Sequence, residues 1–151
     1  MESLLGTKPE DLFPYIGKVR GSRKKIDWLL SIAQQIKKDK NIPLTMEGLT
    51  VLKGIGRKSA NVIMRESGAK AEGVMVDLHV VRVAPRIGIA KGTDPKKIEQ
   101  QIMEALPQKQ WGEIGMAMSH LGREICRPTH PQHEECVMMS VCEYYKKEGK
   151  K

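Results

Sequence analysis

Gly54 and Gly56 flank a single isoleucine, Ile55, and helical patterning stands on both sides of them. No other feature limits so closely how this chain can fold. Before the turn, Thr45 to Val51 reads as a short helix with Thr45 as a cap; after it, Arg57 to Ser67 reads as another. Glycines at this spacing let the backbone turn tightly where residues carrying a Cβ resist. The helical period runs through most of the remaining sequence. Ile26, Leu29, Leu30, Ala33 and Ile36 recur at three- and four-residue steps, one face of a helix from about Ser22 to Lys38. Val76 to Ile87 is apolar enough for a mostly buried helix, although its valines leave a strand open. Thr93 or Asp94 can cap a helix carrying Ile98, Ile102 and Ala105, with Pro95 in its first position. Trp111 to Ile125 reads as one more. After Cys126 the pattern dissolves. The expected class is all-α.

Composition bounds what such a chain can do. Aromatics are only 4%, so aliphatic residues and the nine methionines must fill most of the core. No apolar run approaches the roughly 20 residues needed to span a bilayer. The start, Met1-Glu2-Ser3, lacks the basic-then-apolar layout of a signal peptide, so a cytoplasmic location is expected. Lysine and arginine outnumber acidic residues 26 to 18, a formal charge of +8. That excess favours a polyanionic partner, because phosphates release their counterions when such side chains reach them. Lys18, Arg20, Arg23, Lys24 and Lys25 gather around Gly21, and Lys53, Arg57 and Lys58 surround the glycine hairpin. Lys37, Lys38 and Lys40 read as ordinary capping and solvation.

A short helix, a Gly-Ile-Gly turn and a second helix are similar to the helix-hairpin-helix element of DNA-binding proteins. Bare backbone N–H groups on the glycines can approach a phosphate closely, and the following helix adds its positive N-terminal end. The expected DNA contacts are Lys53, Gly54, Ile55, Gly56, Arg57 and Ser59, joined by Lys25 of the other basic cluster. Such contacts hold the sugar-phosphate backbone without reading sequence. Val76 to Val80 reads VDLHV and puts Asp77 nineteen residues after Lys58. A lysine amine attacks carbon only when deprotonated, and a neighbouring cation such as Arg57 and a helix N-terminus both push it that way. A carboxylate can support the positive charge that develops on a sugar or assist the amine's proton transfer. From residue types alone a plainer assignment stands beside this one: Lys58 as a phosphate contact, Asp77 as the cap of a helix beginning at Leu78.

Three blocks appear in order: LKGIGRKSANVI, VDLHVVRV, and HLGREIC leading into the last cysteines. In these blocks the chain resembles the endonuclease III family of DNA glycosylases, from about Leu4 to Tyr145. The resemblance implies a base-excision enzyme that flips a damaged base out of double-stranded DNA and cuts its glycosidic bond. Lys58 falls on the family's catalytic lysine and Asp77 on its catalytic aspartate. That implies attack at C1′, a Schiff base and strand cleavage by β-elimination, with oxidised pyrimidines as the favoured substrates. His79 is open to two roles, a hydrogen-bonding core or cap residue, or a DNA contact. The implied fold is the helix-hairpin-helix glycosylase fold lacking its first helices, with a lobe over 4–91 and a second over 92–151. Lys53 stands where the family usually has proline, and only Gly73 marks a loop that is typically rich in glycine and proline. The chain is expected to be a monomer unless it completes a split protein, and nucleoid-associated if DNA is its partner.

Many family members hold a [4Fe–4S] cluster on cysteines spaced C-x6-C-x2-C-x5-C. Here that spacing falls on Cys126, His133, Cys136 and Cys142, with histidine as the second ligand. Such a set suits an iron–sulfur cluster, suits zinc as Cys₃His, or leaves three free thiols. His130 is a weaker substitute ligand. An odd number of cysteines in a reducing compartment argues against disulfides. A metal loop would be mainly structural and would present Arg123, Arg127, Lys146 and Lys147 to DNA. Two further functions stay open: a DNA-binding fragment without catalysis, and a metal-stapled interaction domain with no DNA role.

Overall fold

The computed structural model describes residues 1–148, and among them there are helices and no strand, as the all-α expectation requires. The described chain divides into two compact units, one over 1–56 and the other from Arg57 onward. This partition follows spatial contacts, whereas the lobes over 4–91 and 92–151 follow motifs, and the one does not measure the other.

The first unit contains α1 (Pro9–Ile16), α2 (Ser22–Ile36) and α3 (Met46–Thr50). Helix α1, which carries Pro14 inside it, has no counterpart among the helices read from the sequence. Pro9 opens the helix where a missing N–H costs nothing, and the Lys8 N–H is taken by Asp11 Oδ2 at 3.0 Å. Helix α2 leaves Gly21 at φ 71° and stops two residues before its expected end. Lys37 is the reason: it turns to φ 64°, its N–H returning to Ala33 O at 2.8 Å. Ile26, Ala33 and Ile36 are buried as the period demands, joined by Ile32, while Leu29 and Leu30 are only half-buried. Thr45 caps α3 as expected, its Oγ1 accepting from Gly48 N at 3.1 Å. The turn after α3 closes by Ile55 N donating to Leu52 O at 3.1 Å. Gly54 sits there at φ 86°, and a Cβ on it would lie 2.2 Å from the Trp28 ring. Only glycine meets both conditions.

The second unit contains α4 (Arg57–Glu66), α5 (Leu78–Ile87), α6 (Pro95–Ala105), α7 (Trp111–Glu124) and α8 (Glu143–Glu148). Val80, Val83, Ala84, Ile98, Ile102 and Met118 form its buried centre with Val74 and Val76. The open choice over 76–87 resolves as helix, which starts at Leu78, with the buried residues 74–76 leading into it outside any helix or strand. Of the nine methionines, Met46, Met64, Met75 and Met118 are buried, so aliphatic side chains carry more of the core than methionine does. Helices α5 and α7 are the principal pair. Small residues on α7 allow close packing: a Cβ on Gly122 would lie 2.8 Å from His79 Cβ of α5, and one on Gly115 would lie 2.3 Å from Met75 O, on the segment that leads into α5.

Helix α5 also carries two arginines in an otherwise apolar stretch. Arg82 donates to Cys126 O at 3.0 Å and Gly122 O at 2.7 Å. Arg86 donates to Arg127 O at 2.6 Å and Pro128 O at 3.0 Å, and lies 4.4 Å from the Tyr144 ring centre. The irregular segment after α7 thus receives charged donors for carbonyls that no helix satisfies.

Gly115→Ala is expected to lower the unfolding free energy by about 1–3 kcal/mol, since the obstacle is backbone rather than a flexible side chain. A fall in the urea midpoint at an unchanged slope is the expected reading; an unchanged midpoint would contradict the close approach of α7 to the 74–76 segment.

Candidate active site

Lys58 lies in the first turn of α4, exposed, and among the described residues its amine has no hydrogen-bond or ion-pair partner. It lines an open cleft of about 620 Å³ with Arg57, Val74, Val76, Asp94, Lys96 and Glu99. Arg57, expected to act as a bare cation beside the lysine, is instead paired. Its Nε and Nη2 meet the two oxygens of Glu99 at 2.8 and 2.9 Å. The Glu99 hydrogen bond is the largest influence on Arg57 and holds the guanidinium protonated beyond its ordinary range. Its charge near Lys58 is therefore largely offset, and as a DNA contact it is only partly free.

Asp77 directly follows Val76 and is the cap of α5. Oδ1 accepts from His79 N at 2.8 Å and Val80 N at 3.0 Å. Oδ2 accepts from Ser119 Oγ at 2.7 Å, with Arg123 Nη2 at 3.8 Å. Partial burial pushes this carboxyl up, but the Ser119 hydroxyl and then the two backbone N–H groups outweigh it, so the group is held below the usual aspartate value. The plain capping role is thus present, and it keeps the carboxylate ionised and aimed. Ser119, fully buried on α7, is a site residue that the sequence reading missed. Its signal was only its place, one residue ahead of the HLGREIC block.

The remaining candidates fall in two groups. Lys25, Lys53, Gly54, Ile55 and Gly56 belong to the first unit, where Lys53, Gly54 and Gly56 are exposed and Ile55 half-buried. Lys25 is exposed on α2, next to Lys24, whose Nζ lies 5.8 Å from the Trp28 ring centre. Ser59 and His79 belong to the second unit and are half-buried. His79 Nδ1 lies 3.2 Å from Arg82 Nη2, within hydrogen-bonding distance.

Cys126, His133, Cys136 and Cys142 all line one cavity. The donor types suit a soft metal, but the present packing does not hold one. The cavity measures about 10 Å³, room for no more than about one water. Among the described residues no group of three or more histidine, cysteine or acidic side chains is placed to bind a metal ion. The thiols make local contacts: Cys126 Sγ lies 3.4 Å from Arg86 Nη1, and Cys142 Sγ donates to Arg86 O at 3.3 Å. His133 is packed against Tyr144 and Tyr145, with ring centres 6.0 and 4.9 Å away. His130 stands apart, exposed, at φ 53°.

Residues 1–108 match the family described as HhH-GPD superfamily base excision DNA repair protein. Endonuclease III of Thermotoga maritima is 35% identical over 99% of this chain and 70% of its own length. Endonuclease III of Synechocystis is 36% identical over 69% of this chain and 48% of its own length. The chain thus spans 48% to 70% of the length of these relatives. The solved structure of a trapped endonuclease III–DNA covalent intermediate superposes with a TM-score of 0.83 at 26% identity, covering 97% of this chain and 70% of that one.

Asp77→Ala is expected to cost about 1–2 kcal/mol through the lost cap, and Asp77→Asn, which keeps a cap oxygen, less. Because the folded carboxyl titrates below its unfolded value of about 3.8, its ionised form stabilises the protein above that pH. This contribution disappears as pH falls through the depressed folded value. The gap in urea midpoint between wild type and Asp77→Asn should therefore be constant at neutral pH and close under strong acid; a gap that widens on acidification would contradict the assignment.

Proposed function

This chain belongs to the HhH-GPD superfamily of base excision DNA repair proteins, as a DNA glycosylase of the endonuclease III type, and on that premise we propose that Lys58 is its nucleophile and Asp77 its charge-stabilising carboxylate. One observation carries the reading. Asp77 is held ionised by three donors at the end of the very segment whose Val76 shares a cleft with Lys58.

In the proposed reaction the Lys58 amine bonds to C1′ of a damaged nucleotide as the bond from C1′ to the base breaks. The base leaves with the bonding pair and gains a proton, while the amine gives one up to solvent. The nitrogen lone pair then expels the ring oxygen, which leaves C1′ with the bonding pair and takes a proton from solvent, so that the opened sugar carries a protonated imine. Loss of the C2′ proton then expels the 3′ phosphate, which is the lyase step. Asp77 opposes the positive charge that builds on the sugar, and its fixed donors mean no reorganisation is needed at that moment. Lys53, Gly54, Ile55, Gly56, Arg57 and Ser59, with Lys25 and His79, would hold the DNA, through charge and bare N–H groups rather than base reading. Oxidised pyrimidines are the proposed substrate class, on the strength of the sequence resemblance.

Borohydride trapping on duplex DNA with one abasic site tests this assignment. Wild type should give a covalent adduct and Lys58→Ala none, with DNA affinity changed by only a few-fold, in the range expected for one phosphate contact. An adduct that survives in Lys58→Ala would refute the nucleophile. No adduct from wild type, with salt-dependent DNA binding intact, would favour a non-catalytic binding fragment or one half of a split enzyme.

We further propose that Cys126, His133, Cys136 and Cys142 hold a [4Fe–4S] cluster, with zinc as the alternative for the same donors. What supports this is their convergence on one cavity; loading requires the thiols to leave their contacts with Arg86 and His133 to leave the tyrosines. The bound group would supply a structural cross-link for a segment with few apolar contacts of its own. Purified protein should then contain iron and acid-labile sulfide in equal amounts, lost in Cys136→Ser. Zinc without sulfide would select the alternative, and neither in a folded protein would remove the metal from the account.

A further inference from the structure

Glu99 is a buried carboxylate, 5% exposed, that the proposed chemistry does not use. Three donors surround it. Arg57 gives two parallel hydrogen bonds at 2.8 and 2.9 Å, and Asn61 Nδ2 gives a third at 3.1 Å. Arg57 and Asn61 stand four residues apart on α4, on either side of Lys58 in the chain. The same Asn61 amide donates to Val74 O at 3.0 Å, on the segment that leads to Asp77. The first two turns of α4 are thereby tied to α6 through the Glu99 carboxylate, and to Val74 through the Asn61 amide that the same carboxylate holds. A forked arginine–carboxylate pair fixes orientation more than it adds stability.

The surroundings admit no slack. Gly73 is buried, and a Cβ there would lie 2.2 Å from Glu99 Oε1 and 3.0 Å from Asn61 Oδ1. Packing against Glu99 and Asn61 is what requires a glycine here. Arg57, Lys58, Val74, Val76 and Glu99 line one cleft, so any tilt of α4 would move Lys58 within it.

We propose that Glu99 is a positioning residue for Lys58, acting through Arg57 and Asn61 and guarded by Gly73, an inference that rests on Lys58 being the nucleophile. Glu99 touches no reacting atom. It sets where the first turn of α4 stands against the segment bearing Asp77.

Single-turnover trapping on abasic-site duplex at saturating protein, DNA affinity, and amide hydrogen exchange over 57–61 test it together in the full chain. The variants are Glu99→Gln, which keeps shape but turns a donor toward Arg57, and Arg57→Lys, which keeps charge but loses the fork and leaves the buried side intact. Both should slow trapping, and Glu99→Gln, which alters no proposed DNA contact directly, should do so on the order of tenfold to a hundredfold with DNA affinity held within about twofold. Exchange should quicken over 57–61 while the α5–α7 core stays protected. Trapping rates equal to wild type in both variants would overturn the proposal, as would a loss of DNA affinity in Glu99→Gln that matches its loss of rate. A wild type that forms no adduct would remove the lyase reading and leave exchange to decide on the clamp: unchanged exchange over 57–61 in Glu99→Gln would refute it.

Discussion

The arrangement depends on one carboxylate. Asp77 sits where a buried segment becomes helix α5, and it satisfies orphan N–H groups of that helix with one oxygen while the other takes the hydroxyl of Ser119 from α7. Remove it and α5 loses its cap, Ser119 loses its partner, and the carboxylate proposed to oppose charge on the sugar is gone. Structure and chemistry therefore draw on the same atoms. Helix N-termini favour anions, so the position that caps best is also one where a carboxylate stays ionised at neutral pH.

Holding Asp77 in place requires α5 and α7 to lie unusually close, and small residues make that possible. Gly115, Ser119 and Gly122 are buried on α7, and the atoms opposing the two glycines leave no room for a side chain. Arg82 and Arg86 then extend the contact beyond the helices by satisfying carbonyls of the irregular segment that follows. On the other side of the cleft, Glu99 does for α4 what Ser119 does for Asp77: a buried polar group fixes the element that carries a candidate reactive side chain. These are polar interactions in low-dielectric surroundings, where a satisfied network specifies one arrangement and an unsatisfied one is costly.

Local signals in the sequence carried most of the helices. Thr45 and Asp94 cap where capping chemistry said they would, and the three- and four-residue period of Ile26, Ala33 and Ile36 marks a buried face. What was not legible depended on distant partners or on residues that break their own rule. Helix α1 carries Pro14 inside it, and Lys37 ended α2 by adopting a backbone conformation that lysine rarely takes. Asp77 was identified with both its roles in view, but nothing near it in sequence announces Ser119, forty-two positions away. The same separation hid the pairing of Arg57 with Glu99, which changes that arginine from free cation to anchored neighbour. An intact Cys-x6-His-x2-Cys-x5-Cys spacing brought four donors to one cavity without setting them at metal-binding positions.

The most direct test of this account is the titration of the Asp77 carboxyl followed by carbon-13 NMR in the folded protein, in wild type and in Ser119→Ala. The account predicts an apparent pKa below the ordinary aspartate value of 3.8 in wild type, moving upward when the serine hydroxyl is removed. A wild-type value at or above 3.8, indifferent to Ser119, would mean that burial rather than the donors governs this group, and would contradict a carboxylate held ionised for both cap and charge stabilisation.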